Sequence, residues 1–189
     1  MKMQPETHFT KEGKEIIIRE ANEDDALKLI ELKLSYIKNT KSIPMYEFEY
    51  TNDIQTEKDL INKLLTQKNS LLLVAEHGNR LIGNIDLNGN QRKKLFHTAM
   101  LGMGIANEWQ NKKIGSMLME KAMKWVTSKS ALRIIWLEVY STNKGGIKLY
   151  SKFGFSQCGI IPDFFEEDNP ADKITMAKHL YGKKFTAKL

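Results

Sequence analysis

The chain reads as one α/β domain, and three observations predict it. From Ile16 to Lys178, apolar segments of strand length alternate with segments of helical period. Two apolar runs, Leu71–Glu76 and Leu81–Asn88, flank the turn His77-Gly78-Asn79-Arg80 and read as a β-hairpin. The stretch Leu101–Met119, LGMGIANEWQNKKIGSMLM, changes from a Gly-interrupted apolar strand into a helix. That helix carries Ile114, Met117, Leu118, Ala122, Trp125 and Val126 on one face. At 189 residues, with no internal repeat and no linker, a single core is sufficient and no domain boundary is expected inside it.

The elements follow in order. Residues 1–14 read as a flexible segment, loose or lying along an edge, and residues 15–180 as the folded domain. Ile16-Ile17-Ile18 is a short β-branched strand. Asn22 reads as a helix cap, with Glu23, Asp24 and Asp25 in the first turn and Ala26, Leu29, Ile30, Leu34 and Ile37 on the buried face. Residues 38–53 break the pattern: Tyr46, Phe48 and Tyr50 alternate with Glu47 and Glu49. They read equally as a connection with half-buried aromatics and as a loop that receives a substrate. A helix over Thr56–Gln67 and the hairpin follow. Gly83 suggests a close approach, and Asp86, between Ile85 and Leu87, faces the other side of the sheet. After a basic loop at 89–97 come strand Thr98–Ile105, the Ile114 helix and strand Arg133–Val139. Then come helix Gly145–Lys152, strand Phe155–Ile161, an acidic loop Asp163–Asp168 and strand Lys173–Lys178. Residues 181–189 form a basic tail.

Composition narrows the classes. The chain is 41% apolar and 28% charged, as soluble domains are, and no apolar run approaches the roughly 20 residues of a membrane span. The start, MKMQPETHFTKEGKE, does not read as a signal peptide. The single cysteine, Cys158, allows no internal disulfide, so a reducing cytoplasm is expected and Cys158 reads as strand filler. No metal-ligand spacing is present. The net charge of +6 suits an anionic ligand and also suits nucleic acid, but the lysines are scattered and read mostly as solvated surface.

Chemistry concentrates at the turn Asn107–Asn111. A strand entering a helix through a short polar turn leaves free N–H groups at the helix start, which with the helix dipole favour a phosphate. Gly115, without a side chain, lets a bulky anion approach the first turn. The stretch resembles the acyl-CoA-binding motif Q/R-x-x-G-x-G/A of the GNAT-type N-acetyltransferases. Gln110, Ile114 and Gly115 match in place, and Lys113 stands where the first motif glycine usually is. A second stretch, LEVYSTNKGGIKLYSKFGF, is similar to the family's N-x-x-A-I-x-L-Y segment that ends in G-F. Asn143, Ile147, Leu149, Tyr150, Gly154 and Phe155 match, and Gly146 replaces the alanine. By its own chemistry Asn143 caps a helix and Tyr150 packs in a core.

The resemblance runs from Ile16 to about His179. It implies a GNAT-like mixed, mostly antiparallel sheet of six to seven strands flanked by about four helices, and acetyl transfer from acetyl-CoA to a primary amine in a ternary complex. It implies that Met103, Gly104 and Ile105 pair with the pantetheine arm, and that Gln110, Asn111, Lys112, Lys113, Ile114, Gly115 and Ser116 surround the pyrophosphate, with Asn143 nearby. Tyr150 would protonate the leaving thiolate. Similar sequences often carry Glu at the position of Met100, so the base is sought in Glu138, with Glu47, Glu49 or Asp86 as substitutes. The acceptor is expected beside Tyr46, Glu47, Glu49 and Asp86. The partner is a small-molecule or peptide amine, with no nucleic acid and no membrane, and a homodimer stays open. A catalytically silent CoA-binding module and a small basic nucleic-acid-binding protein are the alternatives.

Overall fold

The structure, a computed structural model, describes residues 3–38, 40–166 and 169–180. Its eight strands form one sheet in the order β1-β2-β3-β4-β5-β6-β8-β7. They are β1 (Glu6–Phe9), β2 (Glu15–Glu20), β3 (Leu71–His77), β4 (Arg80–Gly89), β5 (Thr98–Ile105), β6 (Ile134–Tyr140), β7 (Ser156–Phe165) and β8 (Ala171–His179). The helices are α1 (Ala26–Ile37), α2 (Ile54–Thr66), α3 (Ile114–Lys129) and α4 (Lys144–Lys152). All neighbouring strands pair antiparallel except β5 with β6. The architecture is the expected one, with one strand more than the six or seven anticipated.

The extra strand is β1, inside the segment read as a loose or edge-lying start. It pairs with β2, and the amine of Lys121, fully buried in α3, fixes the chain just before it. Lys121 Nζ donates to the Gln4 carbonyl at 2.7 Å and pairs with Glu6 at 3.3 Å. The acidic loop expected at 163–168 is partly strand: β7 runs to Phe165, which pairs with Ala171 and stacks on Tyr140 with ring centroids 3.6 Å apart. Glu167 and Asp168 lie outside the described residues, as does the basic tail 181–189. Cys158, read as filler, is exposed instead, because β7 is an outermost strand with most of its side chains uncovered.

Helices cover both sheet faces. On one face, α1 and α2 lie over β3–β5, and on the other α3 lies over β2–β5. The cap at α1 is as read: Asn22 Oδ1 accepts from the Asp24 N–H at 2.9 Å. Asp25 accepts from the Asn22 N–H and takes two hydrogen bonds from Arg19 at 2.7 and 2.8 Å. Ile85, Leu87 and Leu118 are fully buried between α3 and the sheet.

Strand pairing fails at one place, and this positions everything that follows. β4 pairs with β5 along seven consecutive residues, Gly83–Gly89 with Ala99–Ile105. β5 pairs with β6 only over Thr98–Met100 and Ile134–Trp136. Beyond that, Leu101–Ile105 and Leu137–Tyr140 diverge, and a gap opens in the middle of the sheet. Parallel strands that splay leave one row of backbone groups unpaired on each wall, which is costly unless something binds there.

Candidate active site

Strand alternation fixes which β5 groups face the gap. On the β4 side, the Ala106 N–H donates to the Ile82 carbonyl and the Asn90 N–H donates to the Thr98 carbonyl. The β4–β5 register has no bulge, so even-numbered residues of β5 point their polar groups to β4. The N–H groups of Met103 and Ile105 therefore point into the gap. These are two of the three residues that the resemblance marks for the pantetheine arm.

At the end of the gap stands the turn before α3. Asn111 (φ 60°) and Lys113 (φ 67°) are both left-handed. Lys113 thus adopts, as the residue preceding the helix, a conformation that glycine adopts without strain and lysine does not. The turn keeps its shape despite the lysine. No side chain caps α3, so the first N–H groups of the helix stay available to an anion. Gln110 braces the turn, donating to Asn107 Oδ1 at 3.0 Å. Lys112 lies over the Trp109 ring, 5.7 Å from its centroid, and Ser116 is half-buried in the first turn. The turn's conformation and uncapped donors fit a diphosphate.

Gly115 serves a different purpose from the one read in the sequence. A Cβ there would lie 2.9 Å from Leu149 Cδ2 and 3.2 Å from Ile105 Cδ1. The missing side chain lets α3, α4 and β5 meet, so that space goes to packing and not to an anion. Gly146 is similar: a Cβ would press on the Asn143 side chain at 2.9 Å, where Asn143 Oδ1 accepts from the Gly146 N–H at 2.8 Å and caps α4.

Tyr150, on α4, is buried with its ring 6.1 Å from that of Phe155. Burial, with the charge of Asp86 second, pushes its hydroxyl up to about 12. Asp86 sits opposite Gly102 in the β4–β5 register, on the α1/α2 face. A Cβ on Gly102 would fall 2.7 Å from Asp86 Oδ1, so only glycine leaves room for this carboxylate. Among the described residues, Asp86 makes no ion pair and no hydrogen bond to another residue. The residue is half-buried, with its carboxyl largely enclosed by protein. Burial pushes it up to about 6, the Glu57 charge adds to this, and Lys33 offsets part of it.

The sequence reading missed what surrounds Asp86. Tyr36, from α1, packs over Gly104 and donates to Asn84 Oδ1 at 3.3 Å, and burial together with the Asp86 charge raises its hydroxyl. Glu57, from α2, is buried, accepts from Lys33 Nζ at 2.7 and 2.8 Å, and accepts from the Tyr50 hydroxyl at 3.2 Å. The available signal was weak: polar tips at Tyr36 and Glu57 on otherwise apolar helix faces.

Other expected site residues lie apart. Glu138 pairs with Lys173 at 3.1 Å on the far wall of the gap. Glu49 accepts from the Tyr46 N–H at 2.7 Å and Glu47 pairs with Lys38 at 2.8 Å, both on an exposed loop where Tyr46 stacks on Phe48. Among the described residues no hydrogen bond or ion pair joins Tyr46, Glu47 or Glu49 to Asp86. Met100 is partly exposed and carries no titratable group. Among the described residues no cluster could hold a metal, and no helix is long and apolar enough to cross a membrane.

A splayed β5–β6 pair, an anion-ready helix start between them and a buried tyrosine on the next helix define an acyl-transferase-like cleft. Residues 45–155 match the Acetyltransferase (GNAT) family, and the chain belongs to that family. Acetyl-CoA is the donor the family uses. Over 143 residues the chain is 26% identical to the L-amino acid N-acetyltransferase AaaT of Escherichia coli strain K12, covering 75% of this chain and 83% of the relative. A GNAT-family acetyltransferase structure from Streptococcus pneumoniae is 25% identical with a TM-score of 0.84, covering 87% of this chain and 99% of that one. The structure of yncA from Salmonella typhimurium with acetyl-CoA shares the fold at 16% identity and a TM-score of 0.76, covering 87% and 93%.

Proposed function

We propose that this protein transfers an acetyl group from acetyl-CoA to a primary amine by direct attack in a ternary complex, with Asp86 receiving the amine and Tyr150 serving the leaving group. The observation that carries the reading is the unpaired carboxylate of Asp86, opposite Gly102 at the wall of the gap and close enough to Tyr150 to raise its hydroxyl. A buried carboxylate without a partner is costly, and a cationic ligand relieves that cost. The E. coli relative's name indicates an amine acceptor for that protein, which agrees with this role.

Acetyl-CoA supplies the thioester whose acetyl carbon the amine attacks, with release of the CoA thiol. The chain's residues do the remaining work. The Met103 and Ile105 N–H groups face the gap, where one can pair with the pantetheine arm and the other donate to the acetyl carbonyl. Such a donor is worth about 3 kcal/mol. The turn Gln110–Ser116 receives the pyrophosphate, with Lys112 and Lys113 adding positive charge, and Asn143 holds α4 in place.

An alkyl ammonium has an ordinary pKa of about 10, so at neutral pH the acceptor arrives charged and pairs with Asp86. With a carboxyl near 6, Asp86 is ionised at pH 7 yet closer to the amine in basicity than an ordinary aspartate. It first takes one proton from the ammonium, which frees the lone pair for attack; as the N–C bond forms and the C–S bond breaks, the nitrogen's second proton replaces, through solvent, the one that Tyr150 gives to the sulfur, and Asp86 returns its own to water. Tyr150 remains protonated at neutral pH and donates to the departing sulfur. Glu138 is held by Lys173, so the base role passes to Asp86.

The test is thiol release from acetyl-CoA with an amine panel, with mass spectrometry of the products. Tyr150→Phe keeps the ring and removes the hydroxyl, so kcat should fall by roughly 10²–10⁴-fold with little change in CoA affinity. Full-rate turnover by Tyr150→Phe would assign the proton to water, and CoA binding without any acetylated amine would mark a silent module.

A further inference from the structure

One register step from Asp86, which does not itself line it, lies a cavity of about 560 Å³ that the chemistry above leaves unused. Its inner wall is Met100 and Trp136, the last β5–β6 pair before the gap, with Asn88 opposite Met100. Its outer wall carries Lys63 and Gln67 at the end of α2 and Arg92 in the loop after β4. No carboxylate lines it. The side chains of Lys63 and Arg92 have no ion pair or hydrogen bond among the described residues, whereas Lys33, on α1, is neutralised by Glu57. The cavity therefore carries two unpaired cations, and the Asp86 carboxylate stands outside its lining, one register step beyond Asn88.

Register sets the distance. Asp86–Gly102 and Asn88–Met100 are successive pairs on the same sheet face. One such step is about 6.5–7 Å, and the long side chains of Lys63 and Arg92 reach in from beyond it, so the two charges of a bound ligand would lie roughly 7–10 Å apart. A cavity of this volume holds a small molecule. The Trp136 face and the Met100 thioether suit the short apolar or peptide-like span between the charges.

We propose that the acceptor is a small aminocarboxylate: its ammonium sits at Asp86 and its carboxylate, some 7–10 Å away, sits between Lys63 and Arg92. This rests on the reading of Asp86 as the amine site. An α-amine and α-carboxylate on one carbon are too close together to span both ends. A dipeptide or tripeptide, or an ω-amino acid of five to six carbons, spans them.

The experiment is steady-state kinetics with acetyl-CoA and a graded series: glycine, diglycine, triglycine and the ω-aminocarboxylates from β-alanine to 6-aminohexanoate, each beside its carboxamide. Activity should rise with length and peak where the charges span the cavity. Amidation should raise KM by roughly ten-fold or more, since it removes a charge-assisted contact. The double variant Lys63→Gln/Arg92→Gln, changed only at exposed side chains, should bring the acid-to-amide KM ratio close to one, with its melting temperature as the control for folding. Equal KM for acids and amides in the unmodified protein, or no length optimum, would overturn the cavity assignment while acetylation itself stands. Absence of acetylation with every member of the series, and with simple alkylamines as well, would instead overturn the acetyltransferase reading.

Discussion

The two ends of the gap are built from different materials. At the end proposed for the cofactor the working groups are main-chain N–H donors, held in place by left-handed residues at Asn111 and Lys113 and by an uncapped helix start. At the end proposed for the acceptor they are side chains, Asp86, Tyr36, Glu57 and Lys33, contributed by β4, α1 and α2. A backbone site survives a change of side chain as long as its dihedrals survive, which is how a lysine stands in a glycine's place. A side-chain site has no such tolerance, because each buried charge depends on a particular neighbour.

The largest effect should therefore come from the acceptor end. Asp86→Asn preserves shape and removes the charge, and kcat/KM should fall by roughly 10²–10⁴-fold. The same change should stabilise the fold. The Asp86 carboxyl is raised to about 6 in the folded chain, against about 3.9 unfolded. Between those values the folded state binds more protons, so stability is lost as pH rises from about 4 through 6, and the loss is complete above 6. Its size is on the order of 2–3 kcal/mol, and Asp86→Asn should recover most of it at pH 7. Paired kinetics and thermal melts check this. An inactive variant with a lowered melting temperature would make Asp86 structural.

Next is the pH profile. If ionised Asp86 receives the amine, kcat/KM should climb through an apparent pKa near 6 and level off above it, and Asp86→Asn should erase that limb. A limb that survives in Asp86→Asn would move the titrating group elsewhere.

Lys113→Gly tests the backbone end. Relief of the left-handed conformation should stabilise the protein by about 1 kcal/mol, while loss of the cation weakens CoA binding only a few-fold. Calorimetric titration with CoA and a denaturant curve measure both. A loss of a hundred-fold or more would show that the turn depends on the lysine's charge and not on its shape.

The smallest effect is expected at the exposed loop. Glu47 pairs with Lys38 on the surface, and Glu49 caps its own turn. Replacing both by Gln should change acceptor KM by less than about two-fold, since exposed pairs contribute little. A large rise in acceptor KM would return the acceptor to Tyr46–Glu49.

The strand, turn and helix proposed to receive the cofactor were legible in the sequence because they are local. Gln110 to Gly115 spans a single turn, and Asn143 to Phe155 spans one helix and its exits, so spacing along the chain is spacing in space. The same locality makes α1, the hairpin and α3 readable from period and caps. The role of Gly115 was misread because the clash it avoids, with Leu149, involves a residue 34 positions on. Cys158 was misread because nothing in its own segment says that β7 ends up outermost.

By itself, then, the sequence determined the order of the elements from β2 onward, the cap of the first helix and the turn before α3, all of which depend on interactions within a few residues. Only the tertiary structure decided where β5 and β6 part, that Gly102 leaves room for Asp86, and that Tyr36, Glu57 and Tyr150 gather near that carboxylate. Those contacts join residues as far apart in the chain as Asp86 and Tyr150, and their energetics come from burial. Burial belongs to the packed sheet and helices together, and no single segment of the chain carries it.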